Sequence, residues 1–303
     1  MSNSSVSPNA SRRELLKQSA VTLSALLAAP SLVRSSNASY AANKKLLFFT
    51  KSSGFEHSVV KRKDSELAYA ERIMIEMGKK HNIEVTCSKD GRIFDKDYEQ
   101  FDGYLFYTTT DLTKGKETEP AMSVQGKENL LKAIEAGKGF AGSHCASDTF
   151  HSAGKAAENQ DAPDPYIRMI GGEFIRHGRQ QEALMKLVSP SFPGAPKENF
   201  RMNEEWYSLK NFAKDMHVIL VQETVGMVDA DYKRPAYPAT WARTEGKGRV
   251  FYTSMGHRED VWVNPIFENL FMGGLNWILG NVNAETPSNL ATVCPQASTM
   301  PQL

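Results

Sequence analysis

The sequence predicts an α/β fold built on a doubly wound, mostly parallel sheet, and two observations predict it. Short apolar runs of strand length alternate with amphipathic stretches of helical period, the pattern of parallel strands joined by crossover helices. Four of the seven histidines also stand beside glycine just past such a run: His57, His144, His177 and His257. Glycine allows the sharp turn from strand to helix. In an open α/β sheet that turn points at the crevice beyond the carboxyl ends of the strands, where ligands bind. Four imidazoles delivered this way point to one converging site.

The elements follow in order. Residues 45–50 are an apolar run closed by Ser52, Ser53 and Gly54, a buried first strand. Asp64 is a helix cap, and Leu67, Ala70, Ile73, Met74 and Met77 recur at helical spacing until Gly78 and His81. Residues 83–87 alternate as a strand, and 103–107 form a third that ends in the polar stretch 108–111. A helix over 123–136 leads into a fourth strand at 137–142, which runs into His144. Residues 150–215, with several Pro and Gly, read as loops with short helices and strands. Further strands fall at 218–221, 238–242 and 249–253. Asn264 and Pro265 then open an amphipathic helix through Phe267, Leu270, Phe271, Leu275 and Ile278, closed by Gly280. The stretch 284–303, rich in Pro, Ser and Thr, reads as a loose tail.

Composition sets the outer limits. A chain of 303 residues, 41% hydrophobic, can bury a full core, and the folded domain is expected over 42–283. Lys and Arg number 36 against 35 Asp and Glu, so nothing in the charge favours nucleic acid or an acidic membrane. Cys87, Cys145 and Cys294 form no CxxC pair, which argues against a disulfide framework or a cysteine-based zinc site. Residues 1–41 lie outside the fold. Arg12 and Arg13, an Ala/Leu-rich stretch from Ala20 to Val33, and Ser39 and Ala41 at the −3 and −1 positions make a secretory signal of the twin-arginine type. An ordinary Sec signal or a retained anchor is the alternative, since Leu15 stands where phenylalanine is usual. The apolar stretch is short for a membrane span. The mature chain is therefore expected in the periplasm or otherwise exported, with no stable membrane insertion.

Several motifs carry chemistry. His144 occupies the apex of a strand-to-helix turn of the kind that exposes a nucleophile in hydrolases, with Cys145 one place too late for that role. Cys145 reads as a small buried hydrophobe and amidotransferase chemistry as lost. Asp148, four residues on, either orients His144, joins it as a ligand or caps the helix. Glu205 beside Trp206 and Tyr207 offers a carboxylate between aromatic walls suited to sugar, core packing being the alternative for either ring.

These blocks resemble the ThuA-like (trehalose utilisation) family. They are the run ending in His57, the turn of His144 with Asp148, the Gly171–His177 stretch, Glu205 to Tyr207, the segment ending in Trp241, and Gly246 to His257. The similarity spans about residues 44–280, with Gly178 following His177 where proline is common. It implies a class I glutamine amidotransferase-like, flavodoxin-type fold and a role in carbohydrate breakdown, on 3-keto disaccharides or glycosides.

The expected protein is thus an exported sugar-directed hydrolase, lyase or isomerase with a small-molecule sugar as partner. His57, His144, His177, Glu205 and His257 line its site, supported by Asp148, with Trp206, Tyr207 and Trp241 facing the sugar. Two chemistries fit. A divalent metal, zinc or manganese, is held by His144, His177, His257 and Glu205; or a His/Glu pair performs acid–base transfer without metal. The rival class is a non-catalytic carbohydrate-binding protein, with a retained amidotransferase or cysteine peptidase third. Sequence leaves the oligomeric state open.

Overall fold

The computed structural model describes residues 43–116 and 119–302; the segment read as an export signal lies outside them. Eleven strands are present among the described residues: β1 (Lys44–Phe49), β2 (Ile83–Ser88), β3 (Gly103–Phe106), β4 (Gly139–Ser143), β5 (Glu173–His177), β6 (Gln181–Leu187), β7 (Phe200–Glu204), β8 (Tyr207–Lys210), β9 (His217–Glu223), β10 (Tyr237–Glu245) and β11 (Gly248–Thr253). Nine form one sheet in the order β2-β1-β3-β4-β11-β10-β9-β6-β7, while β5 and β8 pair separately. The first five are parallel, and the other four extend the sheet as antiparallel neighbours. Among the parallel strands alone, the order is the 2-1-3-4-5 of flavodoxin-type folds.

Among the described residues, seven α-helical segments flank the sheet: α1 (Tyr69–Lys80), α2 (Ile93–Lys96), α3 (Val124–Glu135), α4 (Pro165–Ile170), α5 (Glu259–Trp262), α6 (Pro265–Ile278) and α7 (Leu290–Val293). α1, α5 and α6 pack together, as do α2, α3 and α4. Side chains on a strand alternate between faces. Phe251 lies against Gly274 of α6, and its neighbour Tyr252 lies against Gly142 on the side of α4. The two helix groups therefore cover opposite faces.

Two expectations change. The first helix begins at Tyr69, and Asp64 sits in a preceding turn at φ +56°. The cap is supplied by Glu71, whose carboxylate accepts from the Ala68 N–H at 2.9 Å and is fixed by Arg62 and Thr50. A buried acid with that many partners outcompetes an exposed Asp seven positions upstream. The stretch after Ala284 packs against the domain instead of hanging loose. Asn289 Oδ1 accepts from the Val218 N–H, and Arg234 donates to the Ala297 carbonyl. Leu290, Cys294 and Ala297 are buried. Three apolar contacts spaced along a polar stretch were too sparse to read as periodicity. Among the described residues, no helix is long and apolar enough to cross a membrane.

Candidate functional site

Four chain segments leave the carboxyl ends of adjacent parallel strands and meet. Those after β1, β4 and β11 carry His57, His144 and His257, and the residue after β3 is Tyr107. The first three rings surround one point, with centroid separations of 5.0 Å (His57–His144), 5.2 Å (His57–His257) and 5.1 Å (His144–His257).

His144 begins a short 3₁₀ turn directly after β4, with φ +46°. Non-glycine residues enter that region at a cost of about 1–2 kcal/mol, and such strain collects where a side chain must be aimed. The turn is tight enough that a Cβ on Gly142 would come within 2.9 Å of Ala146 Cβ and Ile170 Cδ1. His144 Nδ1 sits 3.0 Å from the Ser254 carbonyl oxygen. A carbonyl only accepts, so Nδ1 carries the proton and Nε2 turns a lone pair toward the cluster. Tyr207 closes the other side, its ring centroid 4.0 Å from that of His144.

The loop bearing His257 is held from below. Gly256 takes φ +122°, and a Cβ there would stand 2.6 Å from Ser143 Oγ. Tyr107 and Trp262 both donate to the Gly256 carbonyl. Fully buried Glu204, at the end of β7, accepts from the Gly256 and His257 N–H groups at 2.6 and 2.7 Å, and from the Glu205 N–H at 2.7 Å. One carboxylate thus fixes two site residues from different segments.

Glu205 completes the group. Its Oε2 lies 3.0 Å from His257 Nδ1 and 3.5 Å from His144 Nε2, which are themselves 3.3 Å apart. His57, His144, Glu205 and His257 each offer a ligand atom, all within 4.8 Å of one another. Burial would raise the Glu205 pKa, but the adjoining His144 and His257 rings outweigh it and hold the carboxyl well below its usual range. Burial, then the neighbouring His144 and His257, push His57 down to about 2, keeping it neutral. For His257, burial opposes protonation but the Glu205 contact overcomes it, leaving its pKa above that of an ordinary histidine.

The donor set fits a metal. Ligand atoms about 2.0–2.1 Å from a tetrahedral zinc stand about 3.3 Å from each other. The separations of 3.0, 3.3 and 3.5 Å among Glu205, His257 and His144 match that spacing. His57 Nδ1 is buried with no hydrogen-bond partner, as an unused ligand nitrogen would be.

The remaining sequence candidates take other places. His57 stands inside the four-residue group and His177 outside it. The His177 ring is 42% exposed, its Nδ1 within 2.9 Å of the Gly178 carbonyl and 3.5 Å from Glu205 Oε1. It lies at the open side of the cluster, stacked at 13° on Tyr207, its partner across the β5–β8 pair. Asp148 does not meet the His144 ring: the 3₁₀ turn carries it away, and it binds His151 Nε2 at 2.7 Å. Trp206 and Trp241 are fully buried, their ring N–H groups donating to the Gln181 and Ile170 carbonyls, so neither faces a sugar. Tyr207 is buried too, as a wall against His144 and His177. Cys145 is buried behind the turn, where burial pushes its thiol far above the ordinary range.

Sequence reasoning missed Glu204, Ser254 and Phe55. The alternation of β7 does mark Glu204, since Phe200 and Met202 share its buried face. Phe55 is 70% exposed, with its ring edge-on to His57 at 5.0 Å, making it the exposed aromatic beside the cluster.

His151, which lacks the glycine-flanked pattern, bridges two acids, Asp148 and Glu173. Hydrogen bonds to Asp148 and Glu173 raise its pKa to about 9 against the opposing effect of burial. Glu173, despite burial, is held at about 2 by His151, Ser152 and Lys210. The stabilisation from charged His151 is complete below its unfolded pKa of about 6.5 and fades as pH rises through about 9. The Glu173 contribution is present above its unfolded value of about 4.5 and is lost as pH falls toward about 2. His151→Gln should therefore lower Tm most between about pH 5 and 6.5, by a few degrees because the ring is 41% exposed. The gap to the native protein should close by about pH 9–10. A gap that is constant across this range in thermal melts would show that the bridge is not charged.

The comparisons with known proteins agree with this fold. Two solved structures are similar in fold: a putative ThuA-like protein from Bacteroides uniformis and another from Parabacteroides merdae. The first is 17% identical with TM-score 0.55, covering 79% of this chain and 92% of its own. The second is 15% identical with TM-score 0.54, covering 86% and 97%. No curated protein matches the chain. The profile described as ThuA, trehalose utilisation, matches residues 45–278, which include every member of the cluster. The chain belongs to the ThuA family, whose description gives it a carbohydrate-related role.

Proposed function

We propose that this protein is an exported enzyme of carbohydrate catabolism that acts on a 3-keto disaccharide or glycoside through a divalent metal held by His57, His144, His257 and Glu205. The observation that carries it is the convergence of three imidazoles and one carboxylate within ligand-to-ligand distance. A bound zinc or manganese ion would polarise a sugar carbonyl or activate water. The protein's own part is to keep that set preorganised: Ser254 fixes the His144 tautomer, and Glu204 fixes Glu205 and His257. His177, beside Glu205 at the open side, is placed to move a proton to or from the substrate. Phe55 offers the sugar an exposed aromatic face. Export rests on Arg12 and Arg13, and replacing both with lysine should leave precursor in the cytoplasm.

A second reading has one specific observation behind it. The raised pKa of His257 beside Glu205 suits an acid–base pair that needs no metal. Metal analysis of the purified mature protein separates the two. About one zinc or manganese per chain is expected, with turnover of a 3-keto disaccharide lost on chelation and restored by the ion. Phe55→Ala in the same assay should raise KM about tenfold and leave kcat nearly unchanged. Turnover that survives complete metal removal would establish the acid–base pair. Tight sugar binding with no turnover under any metal would make the protein a binding module.

A further inference from the structure

Between β1 and His57 the chain makes a turn that the metal cluster does not use. Lys51, Ser52, Ser53 and Gly54 line a cavity of about 200 Å³, completed by Lys114, Gly115 and Lys116. Two of its groups are buried with their polar atoms underused. Lys51 is 1% exposed; its Nζ donates to the Glu119 carbonyl, and among the described residues no carboxylate comes within 4.0 Å of it. Ser52 is 7% exposed, and its Oγ is buried without a partner. Ser53 Oγ is already committed to the Lys114 carbonyl.

Among the described residues, no acid lines the cavity. The Glu119 carboxylate meets Lys116 at 3.5 Å and Lys89 at 3.8 Å through Oε1, while its Oε2 is buried without a hydrogen-bond partner. Three ammonium groups and one free hydroxyl therefore border a space of about six or seven water volumes. Its place in the fold also favours a ligand. Ser52 bridges to Thr109, which follows β3, so the cavity lies where β1 and β3 adjoin. In a 2-1-3-4-5 sheet that is the switch point, where the crevice beyond the strands opens.

We infer that this cavity is an oxyanion site of phosphate size, bound by Lys51 and Ser52 with Lys114 and Lys116 at its mouth. A buried ammonium with one of its three donors spent has two left for an anion, and a serine hydroxyl adds a third. Burial lowers the Lys51 pKa, and an anion beside it would restore the charged form. The ligand is either free phosphate or the phosphoryl group of a small phosphorylated sugar. The site stands independently of the metal reading, because none of its residues belongs to the cluster.

The test is calorimetric titration of the chelator-treated mature protein with inorganic phosphate and, separately, with a hexose 6-phosphate and the free hexose. Saturable binding of about one phosphate per chain is expected, weakened at least tenfold in Lys51→Met and severalfold in Ser52→Ala. Lys116→Gln should weaken it less and reduce its salt dependence. His257→Ala should leave phosphate affinity unchanged, separating this site from the cluster. Tighter binding of the hexose phosphate than of phosphate would identify a phosphorylated sugar as ligand, and equal binding would identify free phosphate. If Lys51→Met does not fold, as judged by circular dichroism, Ser52→Ala and Lys116→Gln carry the test. No saturable binding in the native protein, or affinity unmoved in Ser52→Ala and Lys51→Met, would overturn the site.

Discussion

Replacing His144 should abolish both metal retention and turnover, with kcat/KM falling by about 10³ or more, equivalent to about 4 kcal/mol of transition-state stabilisation. The ring is fully buried and sits between Tyr207, His57 and His257, with Nε2 aimed at Glu205. Alanine would also leave a cavity under Tyr207 and keep an unfavourable φ of +46°, so it tests fold and function together. His144→Asn separates them. Asparagine tolerates the left-handed region, so the turn should survive while a ligand of the right reach is lost. The expected result is metal-free, inactive protein in both variants, with Tm close to native only in His144→Asn. Metal content and rate near native in His144→Asn would remove His144 from the centre.

Much of this was legible in the sequence, for a physical reason. Strands buried on both faces read as continuous apolar runs, and the turns that leave them are marked by glycine. That places His57, His144 and His257 at the carboxyl ends of β1, β4 and β11 from the sequence alone. What sequence could not supply was the direction of side chains. Asp148 was four residues from His144, the spacing of neighbours on an α-helix, but the segment is 3₁₀ and aims it at His151. Trp206 and Trp241 have the composition of sugar platforms, and their ring N–H groups find carbonyls in the core instead. His177 shared the glycine pattern of the other three. It lies on β5, outside the main sheet, and so reaches the edge of the cluster rather than its centre.

Glu204 should prove as important to the centre as any ligand, although it touches none of the cluster's donor atoms. Its carboxylate accepts three backbone N–H groups, from Glu205, Gly256 and His257. Glu204→Gln keeps one acceptor oxygen for the Gly256 and His257 donors and sets an amide NH₂ against the Glu205 N–H. A buried donor left unpaired costs about 1–3 kcal/mol, so a fall of that size in unfolding free energy is expected. Glu204→Ala leaves all three unpaired and should cost more, about 3–6 kcal/mol if the losses partly relax. Stability alone would not distinguish a positioning role from ordinary core packing. Metal affinity does: the backbone of Glu205 and of His257 is anchored by the same group, so both ligands should loosen together. A loss of 10–100-fold in affinity is the usual effect of removing such a support. The measurement is competition with a chelator of known strength at a temperature where Glu204→Gln is fully folded. Unchanged affinity in that folded variant would mean that Glu204 holds the fold and not the site.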